Sequence, residues 1–163
     1  MKVLWLVPGI VALDQITKVL VERTMFRGQS IPLVGETFIR LTYIHNDGAA
    51  FGLNIGSPLI HTLVSIAALF FLIWLFWTAP RQARVIHTAL AMVLGGALGN
   101  IIDRIRLGEV IDFFDVGLDT LRWPVFNIAD SFVTVGVILL AFAYSRNKDE
   151  VADQTDTPTQ TAP

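Results

Sequence analysis

One segment sets the architecture expected of the whole chain: Gly95-Gly96-Ala97-Leu98-Gly99-Asn100-Ile101-Ile102-Asp103-Arg104. Its first half is typical of a membrane helix with a small-residue face, and its second half is polar and charged. Polar groups beside membrane-embedded segments are energetically costly, so they indicate a functional site. Two similar blocks follow, Val110-Ile111-Asp112-Phe113 and Phe126-Asn127-Ile128-Ala129-Asp130-Ser131.

The composition is that of a membrane protein. Of the 163 residues, 53% are hydrophobic and 16% are charged, whereas a soluble domain carries about 25% charged residues. The net charge of −2 gives no indication of nucleic-acid binding. The absence of cysteine excludes disulfides, thiolate metal sites and cysteine nucleophiles. We expect no metal and no cofactor, because the histidines are too scattered to form a metal site: His45, His61 and His87.

Four segments are long and apolar enough to cross a membrane, since a spanning helix needs about 20 such residues. They are about Val3–Val21, Pro58–Thr78, Val85–Ile102 and Pro124–Tyr144. The first lacks the small-residue cleavage site of a signal peptide, so we interpret it as a retained span. The sequence thus predicts an all-α membrane protein with one four-span domain over residues 1–146. A disordered polar tail is expected over residues 147–163.

The three connections between these spans differ in length and character. The first, residues 22–57, contains β-branched and aromatic runs at 31–35 and 37–44, which predict short strands in a small extracytoplasmic region. The second, residues 79–84, is short and basic, and the third, residues 103–123, is acidic. Because positive charge is densest beside the short connection, we expect both termini in the cytoplasm and the two long loops outside.

With this topology the unusual polar residues converge near the outer face of the membrane. Residues three or four positions apart share one face of a helix. Three groups have this spacing: Asp14 with Lys18, Asn100 with Asp103 and Arg104, and Asn127 with Asp130. A tight helix cluster with a polar pocket at its outer end is the simplest packing that satisfies them.

Carboxylates are the groups in this layer that can do chemistry. Two neighbouring carboxylates near lipid cannot both ionise cheaply, so one retains a proton. Such a pair can act as general base and general acid on one water, as in aspartic peptidases. By spacing alone, Asp130 can pair with either Asp112 or Asp103. A proton-coupled transporter is a rival interpretation, but the inner halves of the spans carry almost none of the polar residues that it requires. A non-enzymatic assembly protein is another, and it predicts that neutral substitutions of the acids are harmless.

The sequence resembles the lipoprotein signal peptidases, the bacterial signal peptidase II family of membrane aspartic peptidases. The resemblance covers about Leu4 to Tyr144, and its motifs occur in the family's order. These motifs are Asp14-Gln15 with Lys18, Asn46-Asp47-Gly48-Ala49-Ala50-Phe51, Gly95 to Arg104, Val110 to Phe113, and Phe126 to Ser131.

The resemblance implies a catalytic dyad of Asp112 and Asp130. It implies structural polar roles for Asp14 and Lys18, and supporting or substrate-binding roles for Asn46, Gly48, Asn100, Asp103, Arg104 and Asn127. The implied substrate is a diacylglyceryl-modified prolipoprotein, cut just before its lipidated cysteine. The implied location is the bacterial cytoplasmic (inner) membrane, where lipid surrounds the protein. We expect a monomer, and we expect the loop Asn46–Phe51 to close over the bound lipopeptide.

Overall fold

The computed structural model describes residues 2–48 and 57–155, and it describes side chains as far as residue 145. Within these ranges the chain forms four long helices and four strands. The helices are α1 (Leu6–Thr24, preceded by a 3-10 turn at Lys2–Trp5), α2 (Pro58–Thr78), α3 (Arg84–Leu107) and α4 (Ile128–Thr155). The strands are β1 (Ser30–Val34), β2 (Ile39–Asn46), β3 (Val110–Leu118) and β4 (Leu121–Arg122).

The helices confirm the predicted fold class. All four are long and apolar enough to cross a membrane. The predicted bounds of α2 are exact, whereas α3 runs beyond Ile102 to Leu107 and ends on Gly108, which adopts the left-handed conformation common after helices.

Helix α4 differs from its prediction at both ends. It begins at Ile128 and not at Pro124, because Asn127 caps it. It also continues to Thr155, so residues 147–155, which the sequence predicts as disordered, are helical. This part of the chain contains no proline or glycine that would end the helix. Residues 156–163 lie outside the described residues.

Helix α3 is the centre of the bundle and contacts each of the other three helices. Its small residues allow a close approach to α4. A Cβ atom added to Gly96 would collide with the carbonyl oxygen of Ala129, and one added to Gly136 would lie 2.8 Å from the carbonyl oxygen of Ala89. The position of the first turn of α4 therefore depends on the absence of side chains at these glycines.

The strands form one antiparallel sheet in the order β1-β2-β3-β4. It lies at the end of the bundle where α1 and α3 end and α4 begins, and an apolar cluster joins it to the helices: Val21, Met25, Tyr43, Ile111 and Phe113. The strands predicted in the first long loop are present as β1 and β2. Strand β3 was not predicted, and it pairs Asp112 with Ile44 of β2.

Candidate active site

Asp112 and Asp130 meet in one cavity. Asp112 is the third residue of β3 and is 1% exposed, and Asp130 is the third residue of α4. The cavity has a volume of about 910 Å³, and both carboxyl groups line it together with Asn46, Asn100 and Arg104. Spacing alone could not separate this pair from Asp103 with Asp130, and Asp103 does not line the cavity.

The two acids affect each other electrostatically. Burial, followed by the nearby charge of Asp130, raises the pKa of Asp112 to about 7. Hydrogen bonds from Asn46 and Asn127 act in the opposite direction, because they favour the carboxylate form. Asp112 therefore holds a proton in a large share of molecules at neutral pH, which a general acid requires.

A reciprocal cap fixes Asp130 at the start of α4. The side-chain oxygen of Asn127 accepts the backbone N–H of Asp130 at 2.9 Å, and Asp130 Oδ2 accepts the backbone N–H of Asn127 at 3.2 Å. This is the capping-box arrangement, with asparagine and aspartate in the two positions. Asp14 of α1 accepts the backbone N–H of Ala129 at 3.0 Å. The N-terminus of α4 is thus tied both to its own side chains and to α1.

Side-chain amides donate to three of the four carboxyl oxygens of the acid pair. For Asp112, Asn127 Nδ2 donates to Oδ1 at 2.7 Å, and Asn46 Nδ2 donates to Oδ2 at 2.9 Å. For Asp130, Asn100 Nδ2 donates to Oδ1 at 2.8 Å. The fourth oxygen, Asp130 Oδ2, accepts the backbone N–H of the cap. Each acid is therefore held by two hydrogen bonds, which fix its orientation toward the cavity.

A second group of charged residues lies behind the acid pair. It consists of Asp14, Lys18 and Asp103, and we call it the ion cluster. All three residues are 0% exposed. Lys18 Nζ lies 2.9 Å from Asp14 Oδ2 and 2.8 Å from Asp103 Oδ2. Asp103 Oδ2 also accepts the backbone N–H of Ile111 at 3.2 Å. The ion cluster therefore joins α1 and α3 to the strand residue that precedes Asp112.

The remaining predicted residues also line the cavity. Arg104 lines the cavity, where its cation interacts electrostatically with both aspartates of the pair. Asn46 accepts the backbone N–H of Gly48 at 3.0 Å, so the end of β2 turns sharply beside Asp112. Residues 49–56, which include the second half of the loop expected to close over the substrate, lie outside the described residues.

Three features of the site were not predicted as site residues. Gln15, named only as part of the Asp14-Gln15 motif, donates from Nε2 to Asp103 Oδ1 at 3.1 Å and to Asp14 Oδ2 at 3.2 Å. Trp123 lines the cavity. The cavity also extends along α4 beside Thr134, Val137 and Ile138. The helical spacing of these residues from Asp130 is a signal that could have revealed the groove.

Comparison with known proteins identifies the family of the chain. The family model for Signal peptidase (SPase) II matches residues 6–146. The chain belongs to the signal peptidase II family. It is accordingly an aspartic endopeptidase of the signal peptidase II type, a hydrolase of the membrane.

Similar relatives and solved structures cover most of the chain. The lipoprotein signal peptidase of Geobacter sulfurreducens is 47% identical over 137 residues, which are 82% of this chain and 84% of the relative. That of Desulforapulum autotrophicum is 41% identical over 144 residues, 85% and 88% of the two chains. A solved bacterial membrane enzyme structure, at 2.3 Å resolution, has a TM-score of 0.81 and 31% identity, and the match covers 99% of this chain and 94% of that chain.

Proposed function

We propose that this enzyme removes the signal peptide from diacylglyceryl-modified prolipoproteins and cuts just before the lipidated cysteine. The observation that carries the proposal is the acid pair, Asp112 and Asp130, which share one cavity at the end of the helical bundle. The similar relatives are named lipoprotein signal peptidases. The neighbouring groove along α4 supplies an apolar wall beside the acids.

The chemistry assigns different roles to the two acids. Asp130, as carboxylate, takes a proton from water while the water oxygen attacks the peptide carbonyl carbon. Asp112, in its protonated form, gives its proton to the carbonyl oxygen, so that a tetrahedral diol forms. When the C–N bond breaks, the leaving nitrogen takes the proton held by Asp130, and the diol returns a proton to Asp112. The products are a carboxyl group on the signal peptide and an amine on the lipidated cysteine.

The position of the cavity suits a lipid-anchored substrate. Two acyl chains hold a peptide stably at a membrane surface, whereas one chain does not. The scissile bond of such a substrate is therefore held near the membrane surface, at a depth that water can reach. The proposed orientation has both termini in the cytoplasm and the acid pair near the outer face of the bacterial inner membrane, with one chain acting as a monomer.

Signal-peptide release by the purified protein tests the proposal. The protein, in lipid or detergent, receives a diacylglyceryl-modified prolipoprotein, and cleavage is followed by gel shift with and without a chelator. We expect cleavage that the chelator does not affect, and a loss of about 10³-fold or more in Asp112→Asn and in Asp130→Asn, because each removes a general acid or base. The same prolipoprotein without its diacylglyceryl group should not be cut.

Asp115→Asn is the matched control. Asp115 is also a buried aspartate of β3, but it is paired with Arg122 at 2.6 Å and does not line the cavity. It should keep most of its activity. A parent protein that does not cut the lipidated substrate would refute the proposed function. A folded Asp112→Asn variant with normal turnover would instead leave the reaction in place and refute the acid pair.

A further inference from the structure

The orientations of the asparagine side-chain amides around the acid pair are set by groups that can only donate or only accept a hydrogen bond. A backbone N–H and a lysine ammonium can only donate, and a backbone carbonyl can only accept. Asn46 Oδ1 faces the N–H of Gly48, and Asn127 Oδ1 faces the N–H of Asp130. In both residues the oxygen is therefore occupied by a donor, and the amide nitrogen must face Asp112.

Asn100 is oriented by a different kind of group. Its Oδ1 accepts from Lys18 Nζ at 2.9 Å, in a contact that is completely buried. Because Lys18 cannot accept a hydrogen bond, the Nδ2 of Asn100 must face the other way, and there it donates to Asp130 Oδ1 at 2.8 Å. A chain of two hydrogen bonds thus runs from α1, through α3, to the carboxyl group at the start of α4.

Asn127 also contacts Asn100 but holds it less firmly. Asn127 Nδ2 lies 3.0 Å from Asn100 Oδ1, 3.2 Å from the carbonyl oxygen of Ile111 and 2.7 Å from Asp112 Oδ1. Its two hydrogens are therefore shared among three acceptors. A hydrogen bond from a charged donor is roughly twice as strong as one between neutral groups, so Lys18 is the dominant partner of Asn100 Oδ1.

We infer that Lys18 is a positioning residue for the peptidase reaction: it fixes the Asn100 amide so that its N–H donates to Asp130, the general base of the reaction proposed above. The inference rests on the proposed function, because its test measures cleavage.

Other charged groups act on Asp130 from the elements that surround it. Arg104 of α3 and Asp112 of β3 lie in the same cavity, and the ion cluster contributes Asp14 and Lys18 from α1 and Asp103 from α3. His45 and Asp47 also line the cavity. The variants below leave Arg104, Asp112, His45 and Asp47 in place, so a change in pH dependence reports on the Lys18–Asn100 connection.

The test removes Lys18 without leaving an extra buried charge. In Asp14→Asn the carboxylate partner is neutral, so adding Lys18→Met restores the net charge of the parent ion cluster. The pH dependence of kcat and KM is measured for Asp14→Asn, for its combinations with Lys18→Met and with Asn100→Ala, and for the triple variant. Asp14→Asn alone is the matched control, because it keeps the contact between Lys18 and Asn100.

Lys18→Met should move the acid limb of the kcat profile about one pH unit upward, since one donor to the carboxylate is lost. On the acid side of the optimum, kcat should fall about tenfold, with KM within about twofold. Asn100→Ala should have the same effect, and the triple variant should show no larger shift, because both changes break one connection. An unmoved acid limb in Lys18→Met, or shifts that add in the triple variant, would overturn the inference.

Lys18→Gln, in the same Asp14→Asn background, is the second variant and decides the question if the methionine variant does not fold. Its amide keeps an N–H donor for Asn100 without the charge. The acid limb should therefore stay where Asp14→Asn has it, and a limb that moves by about one pH unit contradicts the inference. Failure of the parent to cleave would instead count against the proposed function.

Discussion

The ion cluster and the acid pair bury carboxylates in the same layer of the molecule, but in opposite ways. In the ion cluster, Lys18 lies within 2.9 Å of a carboxylate on either side, and all three residues are 0% exposed. In the acid pair, neither Asp112 nor Asp130 has an ion-pair partner among the described residues, and both open into the cavity. Within residues 2–48 and 57–145, only amide and backbone donors form hydrogen bonds with them.

This difference separates a structural role from a chemical one. In the ion cluster the ammonium of Lys18 favours the charged form of the carboxylates beside it, whereas two nearby carboxylates without such a partner share one proton. The two sets are joined by Asn100, which contacts Lys18 on one side and Asp130 on the other. The comparison predicts that variants of the ion cluster lose stability first and that variants of the acid pair lose turnover first.

Asp103→Asn should show the largest loss of stability. It removes one carboxylate partner of the buried Lys18, and breaking a buried ion pair costs about 3–5 kcal/mol. Thermal unfolding in detergent measures the loss, and cleavage is measured well below the unfolding temperature. Turnover should fall far less than in Asp112→Asn, since Asp103 does not line the cavity and reaches the strand of Asp112 through the backbone N–H of Ile111. A stable Asp103→Asn variant without turnover would contradict this division of roles and indicate that Asp103 belongs to the catalytic pair.

Gly96→Ala should have the next largest effect. A Cβ at this position would collide with the carbonyl oxygen of Ala129 and lie 2.7 Å from Val133 Cγ2. Overpacking of this kind costs about 1–3 kcal/mol, and here it also shifts the turn that carries Asp130.

Gly9→Ala is the control for this substitution, because a Cβ there meets nothing within 4 Å. Alanine is favoured over glycine in a helix by about 0.5–1 kcal/mol, so this variant should be unchanged or slightly more stable. Thermal unfolding and cleavage rate are compared for both. If Gly96→Ala cleaves at the parent's rate, the acid pair does not depend on a fixed position of the first turn of α4.

The fold could be predicted from the sequence wherever lipid imposes a long apolar run. The bounds of α2 are exact because Pro58 begins that helix and Pro80 follows its end. Strand β3 could not be predicted, because five of its first six residues are buried and no alternating pattern remains. The start of α4 was placed too early because the apolar run begins at Pro124, although Asn127 and Asp130 have the spacing of a capping box.

The candidate site could be predicted in part. Helical spacing gave the Asp14–Lys18 pair, because residues four apart on one helix always share a face. Spacing could not choose between Asp103 and Asp112 as the partner of Asp130. That choice depends on Lys18, which comes from α1 and contacts Asp103 across 85 positions of sequence, a distance over which no local pattern operates.

The smallest change that we expect is in the pH dependence of cleavage, and it tests the acid pair directly. Because burial and Asp130 raise the pKa of Asp112 to about 7, the protonated general acid is present at lower pH and is lost as the pH rises through that value. The ratio kcat/KM should therefore fall about tenfold per pH unit above about pH 7, since this ratio reports the free enzyme.

Asn46→Ala tests which group causes the fall of kcat/KM at alkaline pH, the alkaline limb of the profile. Asn46 donates to Asp112 Oδ2 and favours its carboxylate form, so its removal should raise the pKa of Asp112 further and move the alkaline limb to higher pH. Arg106→Gln serves as control, because it changes only an exposed pair with Glu22 and should leave the limb in place. An alkaline limb that stays unmoved in Asn46→Ala would assign this titration to a group other than Asp112. The general acid would then have to be sought outside the pair, although the ion cluster would keep its structural role.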